Sequence, residues 1–119
     1  MIQLLSRWLQ AVCSRDPVRV VGLYTSDAVL LGTFAKTVKQ GREALYTYFN
    51  EFMSRPGLCG QVDTCIPQET EGSIILSGTY TFWWDGVDGK EEQRARFSFV
   101  FVPIGQSWLI VNHHSSVIP

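Results

Sequence analysis

The pattern of apolar residues changes its period at Gly57, and this change limits the folds that are open to the chain. Before Gly57 apolar residues recur every three or four positions, as in Ile2, Leu5, Leu9 and Val12, which is the spacing of an amphipathic helix. After Gly57 they recur at every second position over four segments, which is the spacing of strands. Helices followed by consecutive strands predict an α+β domain, with the helices on one face of a mostly antiparallel sheet.

The part before Gly57 predicts three helices and one strand. The first helix covers MIQLLSRWLQAV. A short second helix begins after Asp16, a suitable N-cap, with Pro17 at its first position, and ends near Tyr24. The segment DAVLLGTF predicts a strand and AKTVKQ a loop. The segment GREALYTYFNEFMSRPG predicts a third helix, which ends at the Pro56-Gly57 pair.

Four strands are predicted after Gly57, in the segments LCGQVDTCIPQE, GSIILSGTYTFWW, KEEQRARFSFVFV and QSWLIVNHHSS. Turn-forming residues around Gly72, in DGVDG and in PIGQ separate them. A chain of 119 residues can build one hydrophobic core and is too short for two. We therefore expect a single domain over residues 1–119.

Charge and hydropathy exclude several classes of function. The net charge is -1, and the lysines and arginines are scattered singly, so no basic stripe exists for nucleic acid. No stretch of about 18 uncharged apolar residues could span a bilayer. The first twelve residues lack the features of a signal peptide. We expect a soluble protein with no nucleic-acid partner and no membrane partner.

The three cysteines, Cys13, Cys59 and Cys65, form no metal-binding CxxC motif. On one strand Cys59 and Cys65 would lie about 20 Å apart, which is too far for a disulfide. We therefore expect free, mostly buried thiols and a reducing compartment. That compartment would be the cytoplasm, or the plastid stroma if the chain is excised from a longer precursor.

The segment VNHHSS contains both histidines of the chain. Alternation along a strand predicts that Leu109, Val111, His113 and Ser115 share one face, with His114 on the other. Adjacent histidines on a strand cannot easily bind one ion, and no cysteine lies at a ligand spacing from them, so no metal site is predicted. Two interpretations stay open: a solvated or structural histidine at the end of a strand, or an imidazole at a cavity wall, where a pKa of about 6.5 suits a general base.

Few other residues suggest chemistry. The carboxylates lie mostly in caps, turns and polar segments; Asp63 on a strand is the exception, and we expect it to be solvated. The hydroxyl of Tyr24 can be placed at a pocket mouth, although a core tyrosine has the same pattern. Ser6 lies at the border of the apolar face of the first helix. The sequence has no Gly-rich phosphate loop, nucleophile elbow or cofactor motif, so no cofactor is expected.

Several segments together resemble the association-domain-like branch of the nuclear transport factor two-like superfamily, which is related to the hub domain of calcium/calmodulin-dependent protein kinase. They are DPVRVVGLYTSDAVLLGT, GREALYTYFNEF, SGTYTF, ARFSFVF and WLIVNHHSSVIP. Within that branch, terminal histidines followed by two serines are similar to the iota class of carbonic anhydrases. The resemblance implies a cone, in which a strongly curved, mostly antiparallel sheet wraps around helices and encloses a pocket. It also implies a homodimer formed through the sheet.

The iota-class resemblance implies a lyase that hydrates carbon dioxide reversibly to bicarbonate, without a metal or cofactor. It implies catalytic roles for Tyr24, His113 and Ser115, and substrate binding by Ser6, Tyr24 and Ser115. The sequence departs from that class in two places. Asn112 replaces the first of three histidines, and Ser6 stands where threonine is typical. Without a metal, catalysis must depend on positioning and on hydrogen bonds to developing negative charge.

Two other functions are compatible with the same fold. One is a non-enzymatic association module of the kinase-hub type, in which the aromatic strands serve only oligomerisation. The other is an enzyme like the polyketide cyclases or steroid isomerases. Such enzymes generally need an acidic or histidine base deep in a larger apolar cavity, and the sequence offers no evident buried carboxylate.

Overall fold

The computed structural model describes all residues from Met1 to Pro119 and contains three helices and six strands. The helices are α1 (Ile2–Ser14), α2 (Pro17–Val21) and α3 (Arg42–Phe52). The strands are β1 (Tyr24–Leu31), β2 (Lys39–Gln40), β3 (Cys59–Glu69), β4 (Ile74–Gly86), β5 (Gly89–Ile104) and β6 (Ser107–Val117). None of the helices is long and apolar enough to cross a membrane.

All six strands join one open sheet in the order β2-β1-β6-β5-β4-β3. Strands β3 to β6 form an antiparallel meander, whereas β1 runs parallel to β6. The last strand of the chain therefore lies inside the sheet, between β1 and β5. Side chains on its inner face consequently point into the core. The predicted α+β class with a mostly antiparallel sheet is confirmed.

The helices pack on the inner face of the sheet around a core rich in aromatic rings. On α3 the predicted apolar face is confirmed, since Leu45, Phe49 and Phe52 are buried. On α1 the ring of Trp8 is fully buried and lies edge-on to that of Phe99 on β5, with centroids 5.1 Å apart. This packing places α1 directly over the inner face of the central strands.

The structure corrects two boundaries near the start of the sheet. Helix α2 begins as predicted, because the Asp16 side chain accepts a hydrogen bond from the Val18 N–H at 3.1 Å. It ends at Val21, however, and Tyr24 is the first residue of β1. The Ile110 N–H donates to the Leu23 carbonyl at 2.9 Å, so pairing with β6 draws this segment into the sheet. The polar segment predicted as a loop also contains the short strand β2, antiparallel to β1.

The prediction of free thiols is wrong for two of the three cysteines. Cys13 in the last turn of α1 and Cys59 at the start of β3 form a disulfide, with Cα atoms 4.4 Å apart. Only Cys65 is a free thiol. The sequence argument compared cysteines on one strand, whereas this bond joins elements that meet only in the folded chain. The expectation of a reducing compartment rested on three free thiols, and the disulfide removes that support.

Candidate functional site

A β-bulge in β6 decides which of its side chains face the core. The pairing of β5 with β6 shifts between the pairs Val100–Asn112 and Phe101–Ile110, which leaves Val111 as the extra residue. An extra residue breaks the strict alternation of faces, so positions before and after it follow different parities. Alternation of residues therefore does not predict which side chains of β6 share a face on the two sides of Val111.

The bulge gives β6 an inner face that differs from the predicted one. Ile110, His113 and Ser115 are buried together, and His113 is only 2% exposed. Leu109 and Val111, which strict alternation placed with His113, are only half-buried. The predicted pairing of His113 with Ser115 holds, because both follow the bulge.

The imidazole of His113 is held between tyrosine hydroxyls. The Trp8 indole N–H donates to the Tyr24 hydroxyl oxygen at 3.0 Å, and that hydroxyl lies 2.8 Å from His113 Nδ1. On the other side, His113 Nε2 lies 3.2 Å from the Tyr80 hydroxyl. Residues from α1, β1, β4 and β6 thus meet at one buried imidazole.

The same row of hydrogen bonds continues beyond Tyr80. The Tyr80 hydroxyl donates to Ser115 Oγ at 2.6 Å, and Ser115 in turn shares a short hydrogen bond with the Thr33 hydroxyl. We call the whole row the polar chain; its members, in order, are Trp8, Tyr24, His113, Tyr80, Ser115 and Thr33. No buried side-chain nitrogen or oxygen in the protein lacks a hydrogen-bond partner, so the polar chain is fully satisfied.

The polar chain has one direction. An indole N–H can only donate, so the Tyr24 oxygen accepts from Trp8 and its own proton goes to His113 Nδ1. The neutral imidazole then carries its proton on Nε2, which donates to Tyr80, and Tyr80 donates to Ser115. Each donor is used once, and this assigns the Nε2–H tautomer to His113.

Burial keeps the polar chain uncharged. Burial, helped by the nearby His114, lowers the pKa of His113 to about 3. Burial also raises the pKa values of Tyr24 and Tyr80 above the ordinary value of a tyrosine. Of the two interpretations left open by the sequence, burial favours the structural histidine over a general base at neutral pH. His113 is neutral there and holds its partners in place.

Aromatic rings fix the plane of the imidazole. The Phe99 ring stacks on it, with centroids 3.8 Å apart and planes 16° from parallel. The Trp8 ring meets it edge-on at 5.4 Å. The His113 ring therefore cannot turn without displacing core side chains, and the direction of its hydrogen bonds is set by packing.

Ser6 does not join the other predicted site residues. It is exposed, because Leu5 and Trp8 mark the inner face of α1 and Ser6 lies about 100° beyond Leu5, on the side away from Trp8. The predicted face included Ile2 and Leu9, which are exposed and half-buried, and so was centred too near Ser6. Trp8 supplies the contact that α1 makes with the site.

Sequence reasoning missed Tyr80 and Thr33. Tyr80 lies in an aromatic strand segment, and alternation within TYTF places it on the inner face with Phe82. Thr33 follows β1, which runs parallel to β6 with Leu31 opposite His114. Parallel strands end at the same edge of a sheet, so pairing of β1 with β6 was the signal that could have found Thr33.

A small cavity lies against the polar chain. Its volume, measured as space open to the centre of a water molecule, is about 10 Å³, which is room for about one water. Hydroxyl and imidazole groups of the polar chain form one wall, and aromatic rings of α1, α3 and β4 together with Gly32 form the rest. The position of Gly32 requires glycine because a Cβ there would overlap the ring of Tyr48.

The chemistry of the cavity is that of neutral hydrogen-bonding groups. No group of three or more His, Cys, Asp or Glu side chains in the structure is placed to hold a metal ion. All members of the polar chain except Tyr24 line the cavity. These groups can orient a water molecule and donate a hydrogen bond to an oxygen atom of a small guest.

Comparisons with known proteins agree with this fold. Residues 1–119 match the family model described as the calcium/calmodulin dependent protein kinase II association domain. A protein from Xanthomonas campestris assigned to that domain is 33% identical, with a TM-score of 0.90 over 98% of this chain and 84% of that one. No functionally curated protein matches the sequence.

More distant structures share the fold alone. A nuclear transport factor 2-like protein from Salmonella enterica is 15% identical, with a TM-score of 0.87 over 98% of this chain and 87% of that one. A proposed dehydratase of the same superfamily from Streptomyces avermitilis is 13% identical, with a TM-score of 0.87 over 98% of this chain and 92% of that one. These likenesses confirm the predicted fold, and the family match with the Xanthomonas structure confirms the association-domain branch, while the iota-class activity stays a prediction.

Proposed function

The chain belongs to the calcium/calmodulin-dependent protein kinase II association-domain family, and from that premise we propose that it is a metal-independent carbonic anhydrase. Its substrates would be carbon dioxide and bicarbonate, interconverted in the cavity beside His113. The observation that carries the proposal is a fully satisfied row of hydroxyls and one imidazole against a cavity the size of one water molecule.

The size of the cavity favours a very small substrate. Pockets for drug-sized ligands have volumes of about 300–1,000 Å³. The cavity beside His113 has about 10 Å³, so a steroid or polyketide has no place in it. Carbon dioxide is a three-atom molecule and must lie beside a water molecule to react, so the Tyr48 ring, which lines the cavity, would have to move outward to admit it.

The hydroxyls of Ser115 and Thr33 have one proton that is not used within the polar chain. Ser115 accepts from Tyr80 and shares one hydrogen bond with Thr33, so of the two hydroxyl protons at this end one stays free to point into the cavity. Hydration joins the oxygen of water to the carbon of carbon dioxide, places negative charge on the former carbon dioxide oxygens and releases one proton. The free hydroxyl proton would stabilise that charge.

The released proton has no acceptor within the polar chain. His113 has a pKa of about 3 and both its nitrogens are already bonded, and the far end of the chain is the Trp8 N–H, which cannot accept. The proton would leave through water toward the outside of the cavity. In this mechanism Ser115 and Thr33 contact the substrate, whereas Tyr24 and His113 are positioning residues.

The test is stopped-flow hydration of carbon dioxide after exhaustive chelation. We expect a chelator-resistant rate that Ser115→Ala and Tyr80→Phe reduce strongly, while the matched control Tyr46→Phe, at an exposed tyrosine of α3, leaves it unchanged. Circular dichroism would establish that each variant is folded. A wild-type rate equal to the buffer blank would refute the activity. A rate that disappears on chelation and returns with zinc would refute the metal-free mechanism.

A second candidate, association of subunits, is favoured by the family name and by the outer face of the sheet. Ile75 and Val100 are paired neighbours on β4 and β5, and both are half-exposed on the face that no helix covers. A homodimer formed through this face would bury them. Analytical ultracentrifugation of the wild type and of Val100→Lys tests this, since the variant should be monomeric. A monomeric wild type would eliminate the candidate.

A further inference from the structure

A second concave site lies outside the cavity, along one side of α3. We call it the outer cleft; its volume is about 190 Å³, and it is lined by Phe34, Lys39, Tyr48, Glu51, Phe52 and Arg55, with two smaller side chains. Two positive charges and one negative charge stand at its walls. The outer cleft is therefore an electropositive hollow large enough for a small ion with its water.

Arg55 is held in the outer cleft by aromatic rings. The carbon at the centre of its guanidinium lies 4.5 Å from the ring centroid of Phe34, 5.4 Å from that of Phe52 and 5.3 Å from that of Trp84. One nitrogen donates to the Phe52 carbonyl oxygen at 3.1 Å. A guanidinium has five N–H donors, so this arrangement fixes its position and leaves most of its donors unused.

No carboxylate lies within ion-pair distance of this cation, although Asp85 and Glu91 line a shallower hollow together with Arg55. The ion pair between Lys90 and Asp85 is the only one in the protein, so Arg55, Lys39 and Glu51 have no oppositely charged partner within 4.0 Å. Glu51 opposes anion binding, and the two cations exceed it by one charge. A half-buried guanidinium with free donors and no counter-ion suits a planar oxyanion, to which it can donate two parallel hydrogen bonds.

Only a single layer of side chains separates the outer cleft from the cavity beside His113. Tyr48 and Phe52 line both of them, so their rings form the partition. An anion that leaves the cavity past Tyr48 would therefore enter the outer cleft, whose positive charges are Arg55 and Lys39.

We propose that the outer cleft is a binding site for a small planar oxyanion, with Arg55 as its anchor and Lys39 as a second positive charge. The natural occupant is bicarbonate, and this identity rests on the proposed function. Anion binding itself does not, because it follows from the charges and donors of the outer cleft alone.

Nitrate, a planar oxyanion that does not titrate, is the probe. We would titrate sodium nitrate and then sodium bicarbonate at constant ionic strength, and follow the indole N–H of Trp84 and the guanidinium Nε–H of Arg55 by nuclear magnetic resonance. We expect Arg55→Met, which keeps an apolar stem, to weaken nitrate binding about tenfold or more, as for the loss of a charge-assisted hydrogen bond. The matched control Arg7→Met, at an exposed arginine of α1, should bind like the wild type. Glu51→Gln should bind more tightly.

The outcomes separate this inference from the proposed function. Equal nitrate affinity in the wild type and Arg55→Met, with both proteins folded, would overturn the anion site even if carbon dioxide is hydrated. Equal affinity in Glu51→Gln and wild type would show that the charges of the outer cleft do not act on the ion, and would also overturn it. If nitrate binding depends on Arg55 but the protein has no hydration activity, the anion site is supported. Bicarbonate is then excluded as a reaction product bound there.

Discussion

Acid should destabilise this protein through His113 in particular. The imidazole has an ordinary pKa of 6.5 in the unfolded chain and a pKa lowered to about 3 by burial in the folded one. Between these values the unfolded chain binds more protons than the folded one. Stability from this residue is therefore fully present above pH 6.5 and is lost as the pH falls toward 3.

The size of the effect follows from the shift. Each unit of pKa corresponds to about 1.4 kcal/mol, so the free energy of unfolding should fall by roughly that amount per pH unit below 6.5 and by about 5 kcal/mol in all. A small domain has a total stability of about 5–15 kcal/mol, so the loss is a large part of it. We expect unfolding in weak acid.

Urea denaturation at pH 7, 6, 5 and 4 measures this slope. His113→Gln should lose the part of the slope that comes from the imidazole, whatever its stability at pH 7, because glutamine does not titrate. His114→Gln, at the exposed neighbour on the other face of β6, is the matched control and should retain most of it. Since both variants keep all carboxylates, the difference between them isolates the buried imidazole.

One result would refute the reasoning. If wild type and His113→Gln lose stability at the same rate between pH 6 and pH 4, the buried imidazole contributes nothing to the pH dependence. A direct titration of the His113 ring protons by nuclear magnetic resonance provides a second check. A midpoint near 6.5 in the folded protein would contradict the neutral, one-directional polar chain.

Three further predictions concern the packing around the site and the disulfide. Gly32→Ala should lower the free energy of unfolding by about 1 kcal/mol, because the new Cβ overlaps the ring end of the half-buried Tyr48 and forces it outward; chemical denaturation measures this, and an unchanged midpoint would contradict the packing. Tyr80→Phe should cost about 2 kcal/mol, because two buried hydrogen bonds lose a partner, and a neutral effect in the same assay would count against the polar chain. Cys13→Ser opens a disulfide that spans 46 residues and should cost about 4 kcal/mol under non-reducing conditions, whereas Cys65→Ser, at the free thiol, should cost far less; equal midpoints would exclude the disulfide.

The fold could be predicted because its signals are local. The change of period at Gly57 separates helices from strands, and the N-cap at Asp16 fixes the start of α2. Each of these signals lies within a few neighbouring residues. The end of α2 was misplaced because pairing of Leu23 with Ile110, far along the chain, decides it.

The site could be predicted only in part, because its contacts cross the sheet. Tyr24, His113 and Ser115 were predicted and do meet in one row. Tyr80 depends on the register between β4, β5 and β6, and the bulge at Val111 sets that register. No pattern in the sequence marks a bulge of this kind.

The disulfide shows the same limit for tertiary contacts. Cys13 and Cys59 are 46 residues apart, and their meeting depends on how α1 lies against β3. Sequence spacing excludes a bond within one strand. It does not exclude one between a helix and a strand.

The indole of Trp8 has a consequence for the other end of the chain. If the polar chain ran in reverse, the Tyr24 proton would point at an N–H that cannot receive it, and would be stranded in the core. Through the Trp8 N–H, the first helix thus determines which nitrogen of His113, on the last strand, carries the proton. The substitution Trp8→Phe removes this N–H donor, and both tautomers of His113 then become accessible. Trp8, at the opposite end of the polar chain from Ser115 and Thr33, then governs whether those hydroxyls offer the cavity a proton or only lone pairs.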